Sequence, residues 1–230
     1  MLSALRFILV GSCLLFLAGP AAAADVPVGP GDDKRGYDAP DYETRSRRLD
    51  VMGGVPVALI ETATSPPLGL PPLSVPPDNA ITEPRIALGR RLFFDRRLSG
   101  NGTMSCAMCH VPEQGFAHNE MRTAVGIEGR SGRRNAPTVL NAAYLPRLFV
   151  DGRETSLETQ VWSPLLAANE MGNPAVGYVI ETLQGLTDYE GLFEAAYDRG
   201  PDMFTIGAAL ASYQRTLLGG DSPFDRWRYG

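Results

Sequence analysis

Cys106-Ala107-Met108-Cys109-His110 is the stretch of the chain that decides the fold. One helical turn between the two cysteines brings both thiols to the same side, where they can bond the two vinyl groups of a haem, and the neighbouring imidazole can bind the iron. A zinc or redox Cys-X-X-Cys site is the alternative, but zinc needs two more ligands. The chain has one other histidine, His118, and no cysteine after Cys109. The motif therefore predicts one covalently attached haem c with His110 as its iron ligand.

The ligand on the opposite face of the iron would separate an electron carrier from a catalyst. A second strong ligand closes the iron, whereas an open position admits peroxide. His118 follows His110 closely in sequence and would need a tight loop to reach the other face, so we expect it at the surface. Met171 lies where a simple cytochrome c could supply a methionine. A mono-haem electron-transfer cytochrome with Met171 as axial ligand therefore stays open.

Residues 1–24 have the pattern of a signal peptide. Arg6 supplies a positive charge, an apolar run follows, and Ala22-Ala23-Ala24 offers a cleavage site. The apolar run is shorter than the roughly 20 residues that cross a bilayer as a helix. We expect a periplasmic protein without a transmembrane helix, and because Cys13 lies inside the apolar run, lipid attachment there is disfavoured.

Residues 25–80 predict an extended leader. They show no sustained helical or strand period, and they contain a group of prolines: Pro66, Pro67, Pro71, Pro72, Pro76 and Pro77. Such a composition favours polyproline-like structure. A flexible leader is the simplest interpretation, although its leucines could pack onto the domain.

Residues 81–230 predict one domain of short helices and long loops. Thr82 and Pro84 mark a first helix, Ser156 caps another, and Thr205 begins the last. One helix shows the i, i+3, i+4, i+7 spacing in Val176, Val179, Ile180 and Leu183. No strand-period run competes, so the class is all-α. The net charge of -5 makes nucleic acid an unsuitable partner.

From Leu88 to Gly230 the chain resembles the N-terminal half of the bacterial di-haem cytochrome c peroxidases, a family that includes the maturation enzyme of methylamine dehydrogenase. Besides the haem motif, the resemblance is carried in order by Leu92-Phe93-Phe94-Asp95 with Leu98-Ser99, Asn135-Ala136-Pro137-Thr138-Val139-Leu140-Asn141, Asp151-Gly152-Arg153, Glu170-Met171-Gly172 and Ser222-Pro223-Phe224-Asp225-Arg226. It implies a cytochrome c-like domain whose haem is the peroxide site.

The resemblance also assigns site residues. A glutamine and a glutamate ten positions apart line the distal face in such enzymes, and Gln160 and Glu170 have that spacing. By resemblance, Gln160 orients peroxide and Glu170 shuttles a proton between its two oxygens. Asn135 matches a residue of a calcium site, so calcium is a further candidate ligand. Arg130, Arg133 and Arg134 could pair with haem propionates or with a donor protein, or form a solvated basic loop.

Two positions depart from the family pattern. Many relatives carry a distal histidine that blocks the iron, and an ungapped alignment puts Ile127 there, which predicts an open iron that needs no reductive activation. Val150 stands where a tryptophan between the haems is frequent, and it cannot carry electrons in that way.

The resemblance implies a peroxidase that takes electrons from a small cytochrome or a cupredoxin, with a homodimer as the candidate assembly. The alternative within the family is an oxidase that modifies a partner protein, as the maturation enzyme does. No second Cys-X-X-Cys-His follows Cys109, so the second haem domain is absent from this chain. We expect the chain to be a fragment of a longer di-haem enzyme; the alternative is a protein that works with one haem and accepts electrons from outside.

Overall fold

The computed structural model describes residues 58–230, so the predicted signal peptide and the first part of the predicted leader lie outside the described residues. In this part of the chain the α-helices, in order, are α1 (Leu59–Thr64), α2 (Glu83–Phe94), α3 (Cys106–Cys109), α4 (Leu157–Gln160), α5 (Trp162–Leu166), α6 (Val176–Gln184), α7 (Leu192–Tyr197), α8 (Met203–Gln214) and α9 (Pro223–Tyr229). Short 3₁₀ turns and long loops connect them, and β-structure between residues 58 and 230 is limited to isolated bridges. The all-α prediction is confirmed for these residues.

Helix α8 is the centre of the domain. Asp202 caps it by accepting a hydrogen bond from the Thr205 amide (2.8 Å), and the Thr205 hydroxyl accepts one from the Asp202 amide (2.8 Å). Its residues from Thr205 to Gln214 are buried on every side. A helix that is apolar all round belongs in the interior of a protein. The alanines and the glycine among these residues let neighbouring elements approach on each face.

Helices α2 and α8 form the main interface of the domain. Gly89 of α2 lies directly over the backbone of α8, where a side chain would overlap the carbonyl oxygen of Ala209. This close approach brings Phe93 against Tyr213, with ring centroids 5.3 Å apart in an edge-to-face arrangement. Such aromatic pairs add about 0.5–1.5 kcal/mol beyond the area they bury. The C-terminal end of α2 is thereby fixed next to the haem motif.

Helix α4 is held against α8 in the same way. A side chain on Gly207 would overlap the carbonyl oxygen of Glu158 in α4. Ser156 begins α4, as predicted, because its hydroxyl accepts a hydrogen bond from the Glu158 amide (3.1 Å). The predicted helix after Ser156 is present but ends at Gln160, and α5 continues from Trp162 after a break at Val161.

The described part of the predicted leader is not uniformly extended. Residues Leu59–Thr64 form α1, where Ala63 is buried and Leu59 and Ile60 pack against the core. This apolar spacing gives a helix a packing face, and tertiary contact overrides the weak local signal. Residues 66–79, which we call the strap, have no regular secondary structure and lie along the domain surface. Along its length the strap is bonded to the domain at Leu68 O, which accepts from the Asp221 amide (2.8 Å), and at Pro71 O, which accepts from the Tyr144 hydroxyl (2.8 Å).

Among residues 58–230, no helix has the length and apolar character to cross a membrane.

Candidate haem-binding site

One cavity of about 910 Å³ opens beside the Cys-X-X-Cys-His turn. Its volume lies in the range of cofactor and ligand pockets. Its apolar wall comes from Phe93, Leu148, Phe149, Val161, Leu165 and Leu210. Its polar lining includes both motif cysteines, His110, Gln160 and Glu170. A cavity with an extensive apolar wall and convergent polar groups suits a large, mostly apolar cofactor.

The two motif cysteines lie on the cavity wall at either end of α3. Both are half-buried, and they form no disulfide. Burial raises the pKa of the Cys106 thiol to about 12, with a smaller contribution from Cys109. Burial and the charge of Glu170 raise the pKa of Cys109 to about 11. Both thiols are therefore neutral at ordinary pH and face the same space.

The imidazole of His110 is oriented by two backbone carbonyls. Its Nδ1 lies 2.9 Å from Pro137 O and 3.2 Å from Phe116 O. A carbonyl can only accept, so Nδ1 carries the proton and Nε2 keeps its lone pair. Burial lowers the pKa of His110, although these two hydrogen bonds oppose the shift. A neutral imidazole held in one tautomer by outer hydrogen bonds is the form that ligates a metal.

The donor set and the cavity therefore fit haem c. Two thiols and a neutral imidazole with a free Nε2 face one apolar space. The Asn135-Ala136-Pro137 motif has a structural reason in this arrangement, because Pro137 supplies the carbonyl that orients His110.

Gln160 and Glu170 both line this cavity. Gln160 ends α4, and its side-chain carboxamide has no hydrogen-bond partner among residues 58–230, so it remains available to a ligand. Burial raises the pKa of the Glu170 carboxyl, while the positive charge of Arg153 opposes the shift. A carboxyl with a raised pKa near neutral amide donors is suited to exchange protons.

The backbone at Glu170 is held from both sides. Glu170 O accepts from the Ile127 amide (2.9 Å), and Met171 O accepts from the Gly100 amide (2.8 Å). Gly126 packs directly on the carbonyls of Asn169 and Glu170, where a side chain would overlap them. Gly126 and Ile127 on one side and Gly100 on the other therefore fix the backbone from which the Glu170 side chain extends.

Ile127 does not line the cavity. Its side chain is buried against Gly172, where a Cβ would overlap its Cδ1. Gly172 has a φ of 64°, in the left-handed region that glycine adopts without strain. The prediction that residue 127 cannot bind the iron agrees with this orientation.

The two candidates for a sixth iron ligand are His118 and Met171. In the described part of the chain, Met171 is the one of the two that lines the cavity. The expectation that His118 is a surface residue is wrong, since it is 6% exposed. The chain turns back through a β-bridge between Val111 and Ala117, and the side-chain Nδ2 of Asn135 donates to His118 O (2.6 Å). These contacts hold His118 inside the domain. His118 is nevertheless not part of the cavity lining.

The loop arginines divide into two groups. Arg130 points away from the cavity, because it donates to Ala168 O (3.0 Å) and pairs with Glu128. Arg133 and Arg134 lie on the cavity rim. Asn135 also lies there, with its amide nitrogen bonded to His118 O. Between residues 58 and 230 no group of three acidic, histidine or cysteine side chains is arranged to hold a metal ion, so the calcium assignment stays a prediction.

Sequence reasoning gave no role to Arg147, Arg153, Glu158 or Asn79. Arg147 and Arg153 lie on the rim, and Arg153 is the one whose charge acts on Glu170. The Asp151-Gly152-Arg153 motif was the available signal for Arg153. Asn79 and Glu158 lie behind the cavity wall, and no local pattern marks them.

A helical domain that presents one thiol pair and a tautomer-fixed imidazole to a single cavity is a domain of the cytochrome c type. The chain belongs to the di-haem cytochrome c peroxidase family, whose model matches residues 83–230. It is 41% identical over 159 residues to the methylamine utilization protein MauG of Methylophilus methylotrophus, covering 69% of this chain and 47% of that protein. It is 39% identical over 173 residues to the cytochrome-c peroxidase IdrP1 of Denitromonas iodatirespirans, covering 73% and 45%.

A solved structure supports the same fold. A MauG-like protein associated with microbial copper homeostasis superposes with a TM-score of 0.64 at 34% identity, covering 71% of this chain and 49% of that chain. The cytochrome c-like fold prediction is confirmed. The family implies a haem c cofactor. The chain spans about half the length of the curated relatives it matches.

Proposed function

We propose that this chain is the N-terminal, peroxidatic half of a di-haem cytochrome c peroxidase. It would hold one haem c through Cys106, Cys109 and His110, and it would reduce hydrogen peroxide to water. The relatives named as cytochrome-c peroxidases support this activity. The observation that carries the proposal is that Gln160 and Glu170 line the same cavity as the haem motif.

Haem, when bound, supplies the iron and the electrons for breaking the oxygen–oxygen bond. The chain's own residues would supply orientation and protons. The unpartnered amide of Gln160 donates to a peroxide oxygen and fixes how peroxide lies in the cavity. Glu170 takes the proton from one oxygen and returns it to the other, so that this oxygen departs as water. The overall balance is one peroxide, two electrons and two protons for two waters.

The buried setting of Glu170 supports this role. Burial raises its pKa, and Arg153 at the rim opposes the shift, so the carboxyl can both accept and release a proton. Ile127, turned away from the cavity, would leave the distal position of the iron open at rest. We therefore propose that the enzyme reacts with peroxide without prior reduction.

The remaining assignments are coarser. The proposed electron donor is a small cytochrome or a cupredoxin, and the proposed compartment is the periplasm, reached through the signal peptide of residues 1–24. Asn135 is the proposed contribution of this chain to a calcium site, and a homodimer is the proposed assembly. The periplasmic assignment is supported by the family.

Two alternatives have specific support. The relatives named methylamine utilization protein MauG favour an oxidase that modifies a partner protein. Val150 is 77% exposed at the rim and offers no aromatic ring for long-range electron transfer, which weighs against it. Met171 is buried at the cavity and could close the iron, which favours an electron carrier.

The test is a spectrum of the haem-loaded protein followed by rapid mixing with peroxide. We expect a high-spin ferric haem whose absorption changes within the mixing time. The Met171→Leu variant serves as the matched comparison, because it should leave the ferric spectrum unchanged if Met171 is not a ligand. A low-spin spectrum with a far-red sulfur charge-transfer band that disappears in Met171→Leu would establish the electron carrier instead.

A further inference from the structure

Asn79, at the end of the strap, is completely buried although the strap runs along the surface. It lies before residue 83, where the match to the family model begins. Buried amides are retained where every polar atom finds a partner, because an unpaired one costs free energy. The contacts of Asn79 therefore show what the strap is attached to.

All the polar atoms of the Asn79 side chain are engaged. Its Nδ2 donates to Glu158 Oε1 (3.0 Å) and to Ala208 O (3.0 Å). Its Oδ1 accepts from the hydroxyls of Ser212 (3.2 Å) and Tyr197 (3.3 Å). One amide thus joins the strap to α4, α7 and α8.

Glu158 is the partner that leads to the site. Its carboxylate also accepts from Arg215 Nη1 (2.6 Å) and from the Ser156 hydroxyl (2.8 Å). The Arg215 and Glu158 side chains are only 6% and 15% exposed. Burial alone would raise the pKa of Glu158, but the hydrogen bonds from Arg215, Asn79 and Ser156 hold it at about 2. The Glu158 carboxylate therefore stays ionised at ordinary pH and is held by several hydrogen bonds.

Helix α4 needs such an anchor. It has four residues, Leu157–Gln160, and a helix this short has no stability of its own. Its position is set by what Glu158 binds on one side and by the packing of Leu157 on the other. Gln160, two residues after Glu158, faces the cavity with its amide unpartnered. Any change in the orientation of α4 therefore moves that amide.

We infer that Asn79 and Glu158 are positioning residues for Gln160, and that the strap is a working part of the distal site. The inference rests on the proposed function in one respect, the role of Gln160 toward a ligand on the iron. The Asn79–Glu158 contact joins residues separated by 79 positions in the chain. Because Glu158 belongs to α4, this contact lets the strap set the position of α4. The position of α4 in turn sets the position of the Gln160 carboxamide that would meet the ligand.

The test is cyanide binding to the ferric, haem-loaded protein, which needs no turnover. The dissociation constant measures the amide's hydrogen bond to the bound ligand, and the infrared C–N stretch reports that bond directly. Gln160→Ala, Asn79→Ala and the double variant form a cycle. A lost hydrogen bond of ordinary strength weakens binding roughly twofold to tenfold. We expect that loss in each single variant, with a shifted stretch, and no further loss in the double variant.

Tyr144→Phe is the matched control. It removes the strap's hydrogen bond at Pro71 O and leaves Asn79 and Glu158 untouched. We expect unchanged cyanide affinity and an unchanged stretch in this variant. Ser156→Ala gives a second route to the same anchor at a partly exposed position, because it removes the hydroxyl that donates to the Glu158 carboxylate and accepts from the Glu158 backbone amide. It decides the question if Asn79→Ala does not yield folded protein, and it should also be non-additive with Gln160→Ala.

The outcomes separate the two proposals. Unchanged cyanide binding in Gln160→Ala removes Gln160 from the distal site, and the proposed function loses its carrying observation. A clear effect in Gln160→Ala, with no effect or a fully additive one in Asn79→Ala or Ser156→Ala, overturns the positioning role alone. An equal effect in Tyr144→Phe overturns it too, because loosening the strap anywhere would then suffice.

Discussion

Glu158 and Glu170 have the same side chain, but their surroundings shift its pKa in opposite directions. Burial dominates at Glu170 and raises its pKa. Three hydrogen-bond donors outweigh burial at Glu158 and hold its pKa at about 2. Two carboxyl groups separated in this way divide into a proton-exchanging group and a permanently ionised one. The first belongs to the proposed chemistry and the second to the framework.

Replacing Glu170 by Gln should slow the reaction with peroxide by roughly 10²- to 10⁴-fold, because an amide cannot carry the proton between the two oxygens. Stopped-flow absorption of the haem-loaded protein measures the rate. Glu128→Gln is the control, since Glu128 is exposed, pairs with Arg130 and does not line the cavity. A Glu170→Gln rate equal to that of the parent would remove Glu170 from the mechanism.

Glu158 also predicts how stability depends on pH. Its pKa is depressed from an ordinary 4.5 to about 2 in the folded state, so its contribution is present above pH 4.5 and is lost as pH falls toward 2. After allowance for solvent screening, the loss is on the order of 1–3 kcal/mol. Urea unfolding of the parent and of Glu158→Gln, followed by circular dichroism at several pH values in this window, measures it.

The variant should be less stable at neutral pH, and the two proteins should converge as pH falls. Besides burial, the groups around Glu158 that set its pKa are Arg215, Asn79 and Ser156. Parallel stability curves for the two proteins across the window would contradict the prediction.

At the residue scale, a sequence motif predicts structure and chemistry that depend on neighbouring residues alone. The Cys-X-X-Cys-His turn is one helical turn of chain, and its chemistry can be read from five residues. Asn79 and His118 could not be assigned in this way, because their burial depends on Glu158 and Asn135, which are distant in sequence. A polar residue has no local pattern that announces a buried partner.

At the scale of helices, apolar spacing predicted that a helix is present better than it predicted where the helix begins and ends. The helix with the i, i+3, i+4, i+7 spacing begins at Val176, with Val179 and Leu183 buried as the spacing required. The helix predicted to begin at Thr205 begins at Met203, and it is buried on all sides through its small residues. Periodicity describes one face and does not report that a second neighbour covers the other.

Helix α9 was missed although its signal was present. Ser222 caps α9 by accepting from the Asp225 amide (3.2 Å), and Asp225 accepts from the Ser222 amide (2.9 Å). Pro223 occupies the first helical position, where its missing N–H costs nothing. A capping box followed by proline is a helix signal even in a short segment.

The α2–α8 contact makes a prediction about glycine. Gly89→Ala should destabilise the fold by about 1–3 kcal/mol or more, because the new methyl group meets the Ala209 carbonyl and neither backbone can give way easily. Gly177→Ala is the matched control. Gly177 lies at an exposed position of α6 with nothing within 4 Å of an added Cβ, so this change should stabilise by up to about 0.5–1 kcal/mol.

Thermal and urea unfolding of the two variants should move in opposite directions from the parent. Equal stability of Gly89→Ala and the parent would mean that α2 and α8 can separate at no cost, which would contradict the packing described.

At the scale of the whole domain, class and family were predictable and the strap's attachment was not. Short helical periods without strand periods suffice for the all-α class, and several ordered motifs suffice for the family. The proline-rich composition agrees with the lack of regular secondary structure in residues 66–79 but says nothing about what such a segment lies against. That depends on Tyr144, Asp221 and Glu158, which three separate parts of the fold supply.

The cavity connects cofactor attachment to the stability of the domain. Its lining includes residues of α2, α3, α4, α5 and α8, so the helices that form the core also enclose the space. Without haem, the apolar side chains of this lining would face water instead of the cofactor. Haem retention is therefore expected to stabilise the domain by covering this apolar surface.

The double variant Cys106→Ala/Cys109→Ala, which has no thiol for attachment, should keep most of its helical far-ultraviolet signal while losing near-ultraviolet tertiary signal and much of its thermal stability. Met108→Leu is the control, because it alters the same turn and keeps both cysteines and His110. We expect it to retain haem and to unfold close to the parent temperature. Calorimetry and circular dichroism of the three proteins measure this. A haem-free double variant with the parent's melting temperature and near-ultraviolet spectrum would show that the helices enclose the cavity without help from the cofactor.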